Sequence, residues 1–412
     1  KGAGMYQILK GMRVVEGASF IAGPSCSLHL LQLGAEVIRF DMIGGGPDYR
    51  RWPLAPSGES LYWEGLNKGK KSIAIDLASK KGRELALRIA TAPGENAGMF
   101  VTNYPVEGFL AHEKLAALRA DIITVRVMGW ADGRNAVDYT VNATIGVPLM
   151  TGPVEHPADR PVNHILPAWD LITGSYAAFA LMAAERNRRI TGMGAEIRVP
   201  LSDVAAAALG NTGQIAEVVT SGQDRPRMGN DLFGAFGRDF STRDGVRVML
   251  VAITARQWTG LLEALEITAG IAAIEVEEQV SFADEGQRFI HRERIYPLVE
   301  AALKRRTLAE IAPVFDARGV CWSRYRGMGD AIAHEAGFVA GNPVFTPVAH
   351  PGGATYPTPG AAASFMGVPR DIPSRAPRLG EHTDEVLTTV LDMSATEIAR
   401  LHDDGVVAGP KG

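Results

Sequence analysis

Side chains that ligate metals or form cross-links are scarce in this chain. Its two cysteines, Cys26 and Cys321, lie far apart in 412 residues without ligand-type spacing, which excludes a disulfide framework. They are expected as reduced thiols, as in a cytoplasmic protein. The nine histidines form no HExxH pair and no compact cluster with cysteine or carboxylate, so no metal is expected. An excess of charge is also missing. A net charge of −4 lacks the basic surplus of a nucleic-acid binder and the acidity of a disordered chain. Any anionic ligand must then be held by local basic residues. Long apolar runs are absent as well. The most apolar early stretch, "ASFIAGPSCSLHLLQL", is broken by Gly23-Pro24, is too short to span a bilayer and follows no basic signal start. Neither a membrane nor a nucleic acid is expected as partner. Lys1 to Gly4 read as a foreign remnant ahead of Met5. No G-x-S-x-G elbow occurs, and Gly44-Gly45-Gly46 lacks the rest of a dinucleotide fingerprint.

What is present is apolar content of 46% spread over the whole length, enough for a large core and two domains. The first half alternates β-rich runs with helical ones: "MRVVEG", an apolar helix to Leu33, "AEVIRF", "SIAIDL", a helix near 79–92, "GMFVTN" and "DIITVRVMG". This is the rhythm of βαβ units. It predicts a parallel sheet whose ligand crevice lies beyond the strand C-termini. Between Leu171 and Arg188 a helix is apolar all round its middle, which predicts burial in its own domain or against a partner chain. It stops at "TGMG", and the strand "AEIRVPL" comes next. Around 222–240 the composition turns to Gly, Arg and Asp before "VRVMLVAI", which marks a domain change. A second Gly/Pro-rich stretch runs through "GNPVFTPVAHPGGATYPTPGAAA".

Three places offer chemistry. Asp170, in "LPAWDLITGSYAAF", stands at the mouth of the long helix. It is either an N-cap accepting bonds from the first turn, or a carboxylate kept ionised by the helix dipole while Leu166, Trp169 and Leu171 strip its water. His164, six residues earlier, is either a structural histidine or a group supporting Asp170. In "LNKGKKSIAIDL", Lys68, Lys70 and Lys71, with Arg39 and Arg50-Arg51 nearby in sequence, are either a solvated charge run or contacts to a phosphate-rich ligand. Arg238 and Arg247 are either surface residues or partners for a substrate carboxylate.

Five stretches, "GPSCSLHLLQLGAEVIRFD", "NKGKKSIAIDL", "VTNYPVEGF", "WDLITGSYAAFALMAAERNRRITGMGAEIRVPLSDVA" and "APRLGEHTDEVL", resemble the family III CoA-transferases, the group of formyl-CoA transferase and α-methylacyl-CoA racemase. The resemblance runs from about residue 10 to 405 and weakens over 225–345. It implies an α/β fold: a Rossmann-like large domain from N- and C-terminal segments (5–222 and 325–412), a smaller inserted α+β domain (223–324), and an interlocked homodimer. It also implies that Asp170 is the nucleophile on an acyl-CoA thioester. Ala22, Arg39, Lys70, Lys71, Asn103, Tyr104 and Trp130 then fall where the family contacts CoA. No cofactor is implied beyond the CoA carried by the substrate.

Departures from the family pattern narrow the expectation. Ile21 replaces the glutamine that formyl-CoA transferase sets beside its acyl group, Ala111 replaces a phosphate arginine, and Gly46-Pro47 replaces Gly-Asp. Formyl and oxalyl groups are therefore not the expected substrates. Val137 stands where racemases carry their acid/base histidine, so a two-base proton shuttle would lack one half. "RFDMIGGGPDYRRWP", "GLNKGKKSIAID", "NHILPAWD" and "GNDLFGAFGRDF" resemble members that move CoA between the C1 and C4 carboxyls of mesaconyl-CoA, a step of the 3-hydroxypropionate cycle. For these the acyl pocket would be walled by Phe20, Ile21 and Trp169. An intermolecular transferase for another dicarboxylic acid is the alternative. Oxyanion donors and any roles of Glu16 and Asp138 stay open.

Overall fold

A computed structural model of the chain describes residues 5–410; the reading of Lys1 to Gly4 lies outside them. The strands are β1 (Arg13–Gly17), β2 (Glu36–Met42), β3 (Lys71–Ile75), β4 (Met99–Thr102), β5 (Ile123–Met128), β6 (Ala195–Pro200), β7 (Phe236–Ser241), β8 (Arg247–Ala252), β9 (Cys321–Arg324), β10 (Phe345–Ala349), β11 (Thr355–Pro359) and β12 (Val407–Ala408). The helices of the first half are α1 (Ala22–Gln32), α2 (Leu61–Asn67), α3 (Lys80–Ala90), α4 (His112–Leu118), α5 (Asp138–Thr144), α6 (Val147–Met150) and α7 (Ala168–Thr191). No helix of the described residues is long and apolar enough to cross a membrane.

The described residues divide into two compact units, one of 5–145, 164–220 and 336–410, the other of 146–163 and 221–335. The first holds a seven-stranded sheet in the order β12-β3-β2-β1-β4-β5-β6, parallel throughout except for β12. Buried Val, Ile and Phe on both faces of β1, β2, β4 and β5 explain the parallel pairing, since helices cover both sides. From β1 the chain winds first to β2 and β3, then returns to place β4 on the other side of β1. The β1/β4 boundary is thus a topological switch point, where open α/β sheets form their crevice.

The second unit carries the antiparallel sheet β7-β8-β9 and an aromatic core of Phe236, Phe240, Trp258, Phe282, Tyr296 and Phe315. Its segment 146–163 is stitched to it by Arg227, whose Nε donates to Thr151 O at 2.9 Å. Composition gives no sign of that segment. It also hides β7 inside the Gly/Arg/Asp-rich stretch. The strand forms because Phe236 and Phe240, on one face at alternate positions, bury completely against Trp258 and Tyr296. The late Gly/Pro-rich stretch likewise contains β10 and β11, a two-stranded ribbon. Pro347, Pro357 and Pro359 are tolerated there because each strand has a free edge.

The long helix is longer than its apolar pattern suggests. It ends at Gly192, whose φ of 74° is the left-handed cap that glycine adopts without strain. Its buried stripe is Trp169, Thr173, Gly174, Ala177, Leu181, Glu185 and Arg188. Gly174 is the point of closest approach to α1: a Cβ there would lie 1.9 Å from Ser25 Oγ and 2.9 Å from Ala22 O. The chain itself does not bury the helix all round. Ile172, Tyr176 and Phe179, at helical spacing on the opposite face, are exposed.

Candidate active site

The loops leaving the C-terminal ends of β1, β4 and β5 surround a cavity of about 1160 Å³. Ser19 to Gly23 enter it after β1, Asn103 to Glu107 after β4, and Met128, Gly129 and Ala131 to Tyr139 after β5. The first two loops are clasped across the switch point. Ser19 N donates to Asn103 Oδ1 at 3.3 Å and Asn103 Nδ2 donates to Ser19 O at 3.0 Å. The volume exceeds that of an ordinary drug-sized site, as a ligand with a long carrier group would need.

Asp170 lines this cavity from the first turn of α7. It is not the N-cap. That place belongs to Pro167, whose ring carries no acceptor, and the first-turn donor is met from elsewhere: the Asp170 backbone N–H donates to Asp138 Oδ2 at 3.0 Å. Asp138, buried at the start of α5, also accepts on Oδ1 from His164 Nε2 at 2.7 Å. His164 packs edge-on against Tyr139, whose hydroxyl donates to Ile165 O at 3.0 Å. The neighbours thus hold the backbone of Asp170 and leave its carboxylate to the cavity.

The electrostatics differ from the sequence expectation. Burial pushes the Asp170 carboxyl up to about 7, the charge of Asp138 pushes in the same direction, and Arg51 opposes both. Desolvation and a like charge therefore outweigh the helix dipole. A carboxyl half ionised near neutrality is a stronger base and nucleophile than an ordinary one, provided that the pH keeps it charged. If Asp170 must be an anion in the free enzyme, kcat/KM should fall about tenfold per pH unit below about pH 7. Replacing Asp138 by Asn removes the like charge and keeps an acceptor for the Asp170 N–H, so this limb should move to lower pH. A pH–rate profile of both proteins checks it; an unmoved limb would assign the titration to another group.

The other sequence-designated residues divide. Phe20, Ile21, Ala22, Asn103 and Tyr104 line the cavity with Asp170. Trp169 lies beneath it, buried, with Nε1 donating to Asn142 Oδ1 at 3.0 Å. Trp130 sits beside the lining under the Arg134 guanidinium, 4.6 Å from its ring centroid. Arg39 and Lys70 do not reach the cavity. Arg39 is buried, bonded to both Asp41 oxygens at 2.9 Å, to Asp48 at 2.8 and 3.0 Å and to Glu16 at 3.3 Å. Lys70 Nζ donates to Glu16 at 2.8 Å, Pro24 O at 2.9 Å and Asn67 at 3.1 Å, which uses its three protons. Lys71 faces away, paired with Glu385 at 2.8 Å and Glu36 at 3.4 Å. Two members of the lysine run are buried within the chain: Lys70 balances Glu16, a carboxylate with no route to solvent, and Lys68 Nζ donates to Gly65 O at 2.5 Å. Arg238 and Arg247 are occupied in the second unit by Asp231 and Asp239.

Sequence reasoning passed over Asp48 and Tyr62. Asp48 Oδ2 accepts the backbone N–H of Phe20 at 3.0 Å, and Phe20 holds φ at 68°, a left-handed conformation costly for an aromatic residue. The Phe20 ring lines the cavity, so the strain is stored where the ligand goes. Tyr62 enters from α2, whose Ser60 cap accepts from Trp63 N at 3.0 Å. Neither residue has a sequence signal beyond its neighbourhood.

Residues 9–383 match the family model described as CoA-transferase family III. The chain is 49% identical to the 2-methylfumaryl-CoA isomerase of Chloroflexus aurantiacus over 98% of this chain and 99% of that one. It is 26% identical to the succinyl-CoA–D-citramalate CoA-transferase of the same organism, over 97% and 98%. A CAIB/BAIF family protein from Brucella suis superposes with a TM-score of 0.74 at 24% identity, covering 93% of this chain and all of that one, which shows a shared fold.

Proposed function

We propose, from the premise that this chain belongs to CoA-transferase family III, that it moves CoA from one carboxyl of 2-methylfumaryl-CoA (mesaconyl-CoA) to the other, C1 to C4, within one bound molecule. The observation that carries the reading is Asp170: a partly desolvated carboxylate, free of capping duty, facing a large cavity at the switch point of the sheet. The 49% identity to a protein named for that isomerisation supports the substrate.

In this mechanism an Asp170 oxygen attacks the thioester carbonyl, the C–S bond breaks, and a mixed anhydride and a CoA thiolate result. The thiolate attacks the aspartyl carbonyl and releases the diacid as a carboxylate, leaving Asp170 as its CoA thioester. The other carboxylate of the same diacid then attacks that thioester, and the reverse steps return CoA to the new position with Asp170 regenerated. Each step exchanges one activated acyl bond for another and the three thioesters along the path are of similar energy, so the thioester is conserved if water stays out. Phe20, Ile21 and Tyr62 provide an apolar wall for this purpose. Val137, exposed at the cavity where a racemase would need its histidine, has no proton to give.

Incubation with the C1 thioester alone, followed by chromatography and mass spectrometry, should yield the C4 isomer without any added acid. Product that appears only when a free carboxylic acid is supplied would make the protein an intermolecular transferase. The unit of 5–145, 164–220 and 336–410 is taken as the large domain, and that of 146–163 and 221–335 as the small one, in place of the sequence bounds 5–222 with 325–412 and 223–324, in an interlocked homodimer. The exposed Ile172, Tyr176 and Phe179 face of α7 supports a second copy as its cover. Sedimentation equilibrium should then return twice the chain mass; a monomer would remove this part of the reading.

A further inference from the structure

Three arginines line the cavity: Arg51, Arg134 and Arg198. Two are already engaged. Arg134 Nε lies 2.7 Å from Asp132 Oδ2, and Arg198 Nη2 lies 2.9 Å from Glu196 Oε2. Arg51 differs. Among the described residues no carboxylate forms an ion pair with it, and its neighbours are aromatic: its guanidinium is 5.7 Å from the Phe20 ring centroid and 5.5 Å from that of Tyr62. Two rings flank the exposed guanidinium without consuming its charge, and beyond its hydrogen bond to the Tyr62 side chain it keeps donors suited to bidentate recognition of a carboxylate.

Arg51 and Asp170 face the same space. Arg51 is close enough to favour the Asp170 anion, yet no ion pair joins them. The gap between this cation and the carboxylate of Asp170 suits a molecule that brings a negative charge to the first and an acyl carbon to the second.

Arg51 is also firmly placed. Its backbone N–H donates to Asp48 O at 3.3 Å, while the Asp48 carboxylate is held by buried Arg39 and in turn holds the N–H of Phe20. The cation and one of its flanking rings thus hang from one buried network.

We infer that Arg51 binds the distal carboxylate of the acyl group and restricts the site to dicarboxylic acyl-CoA thioesters. This rests on the reading of Asp170 as the reacting centre. It also explains how one site serves both regioisomers. Whichever carboxyl faces Asp170, the other meets Arg51, so a diacid released after acyl transfer exchanges its ends between the same two groups without leaving.

The test measures affinity, so it does not depend on turnover. Asp170→Asn protein, with and without Arg51→Met, is titrated by calorimetry with the C1 thioester of 2-methylfumarate and with tiglyl-CoA, in which a methyl group replaces the distal carboxylate. The single variant should bind the dicarboxylic thioester roughly 10- to 100-fold tighter, the range of a charge-assisted bidentate contact, and Arg51→Met should remove that preference. Arg51→Lys should restore part of it, since the charge returns without the fork. Equal affinity of the single variant for both thioesters, or a preference that survives Arg51→Met, overturns the inference. If the preference depends on Arg51 while the unaltered protein does not isomerise the C1 thioester, the inference stands and intramolecular transfer falls. Failure to bind either thioester overturns both.

Discussion

Asp170→Asn should lower turnover of 2-methylfumaryl-CoA by roughly 10³-fold or more, the scale of losing a covalent nucleophile, and should make the protein more stable at pH 8. The two effects have one cause. The folded-state pKa of Asp170, pushed up to about 7, lies above its unfolded value of 3.8. The protonated form is thus favoured by folding, and the stability this contributes is complete below pH 3.8 and lost as the pH rises through about 7. At pH 8 the folded protein holds an anion that its surroundings resist, and Asn relieves it. At pH 4 the wild-type carboxyl is largely neutral when folded, so the gain should shrink. Thermal unfolding at both pH values, beside the isomerisation assay, separates loss of a nucleophile from loss of a fold. A variant that is inactive and also less stable at pH 8 would assign Asp170 a structural role, whereas an active one would end the covalent mechanism.

The sheet was legible because its signals are local. Alternating apolar strands and helices with short connections leave few topologies open, and the crevice expected beyond the strand C-termini is where the cavity lies; Phe20, Ile21, Ala22, Asn103 and Tyr104, which line it, came from the family resemblance. The nucleophile candidate was visible as a carboxylate opening an apolar helix, but its state was not. Only the fold brings Asp138, 32 residues away, under the Asp170 N–H, and like-charge proximity leaves no mark in a linear pattern. The partners of the basic residues were hidden for a related reason. Lys70 precedes β3 and Arg39 lies within β2, and the acids that engage them, Glu16 and Asp48, lie 54 and nine residues distant. Arg51 was visible only as one of a pair of loop arginines. Its importance comes from a partner it lacks, and that requires knowing every other charge in the cavity.

Arg39→Met should unfold the protein or cost it roughly 3–5 kcal/mol, the scale of breaking a buried ion network on one side. Arg39 is 1% exposed and faces three carboxylates, of Glu16, Asp41 and Asp48, all of them buried; the Trp63 ring lies 4.6 Å from its guanidinium. With Lys70 as the second cation, the cluster holds three acids against two bases. Removing Arg39 leaves three acids and a single lysine, and a thioether satisfies none of the bonds. Arg39→Lys should recover little, because one ammonium cannot span acceptors that occupy all three guanidinium nitrogens. Urea unfolding measures the loss. If Arg39 instead met CoA, the variant would unfold like wild type and lose only affinity for the thioester, which binding at low urea would reveal. The structural role also predicts a particular functional defect in any folded variant. Asp48, no longer held, releases the Phe20 N–H and the loop bearing Arg51, so the preference for a dicarboxylic over a monocarboxylic thioester should fall although residue 39 touches neither.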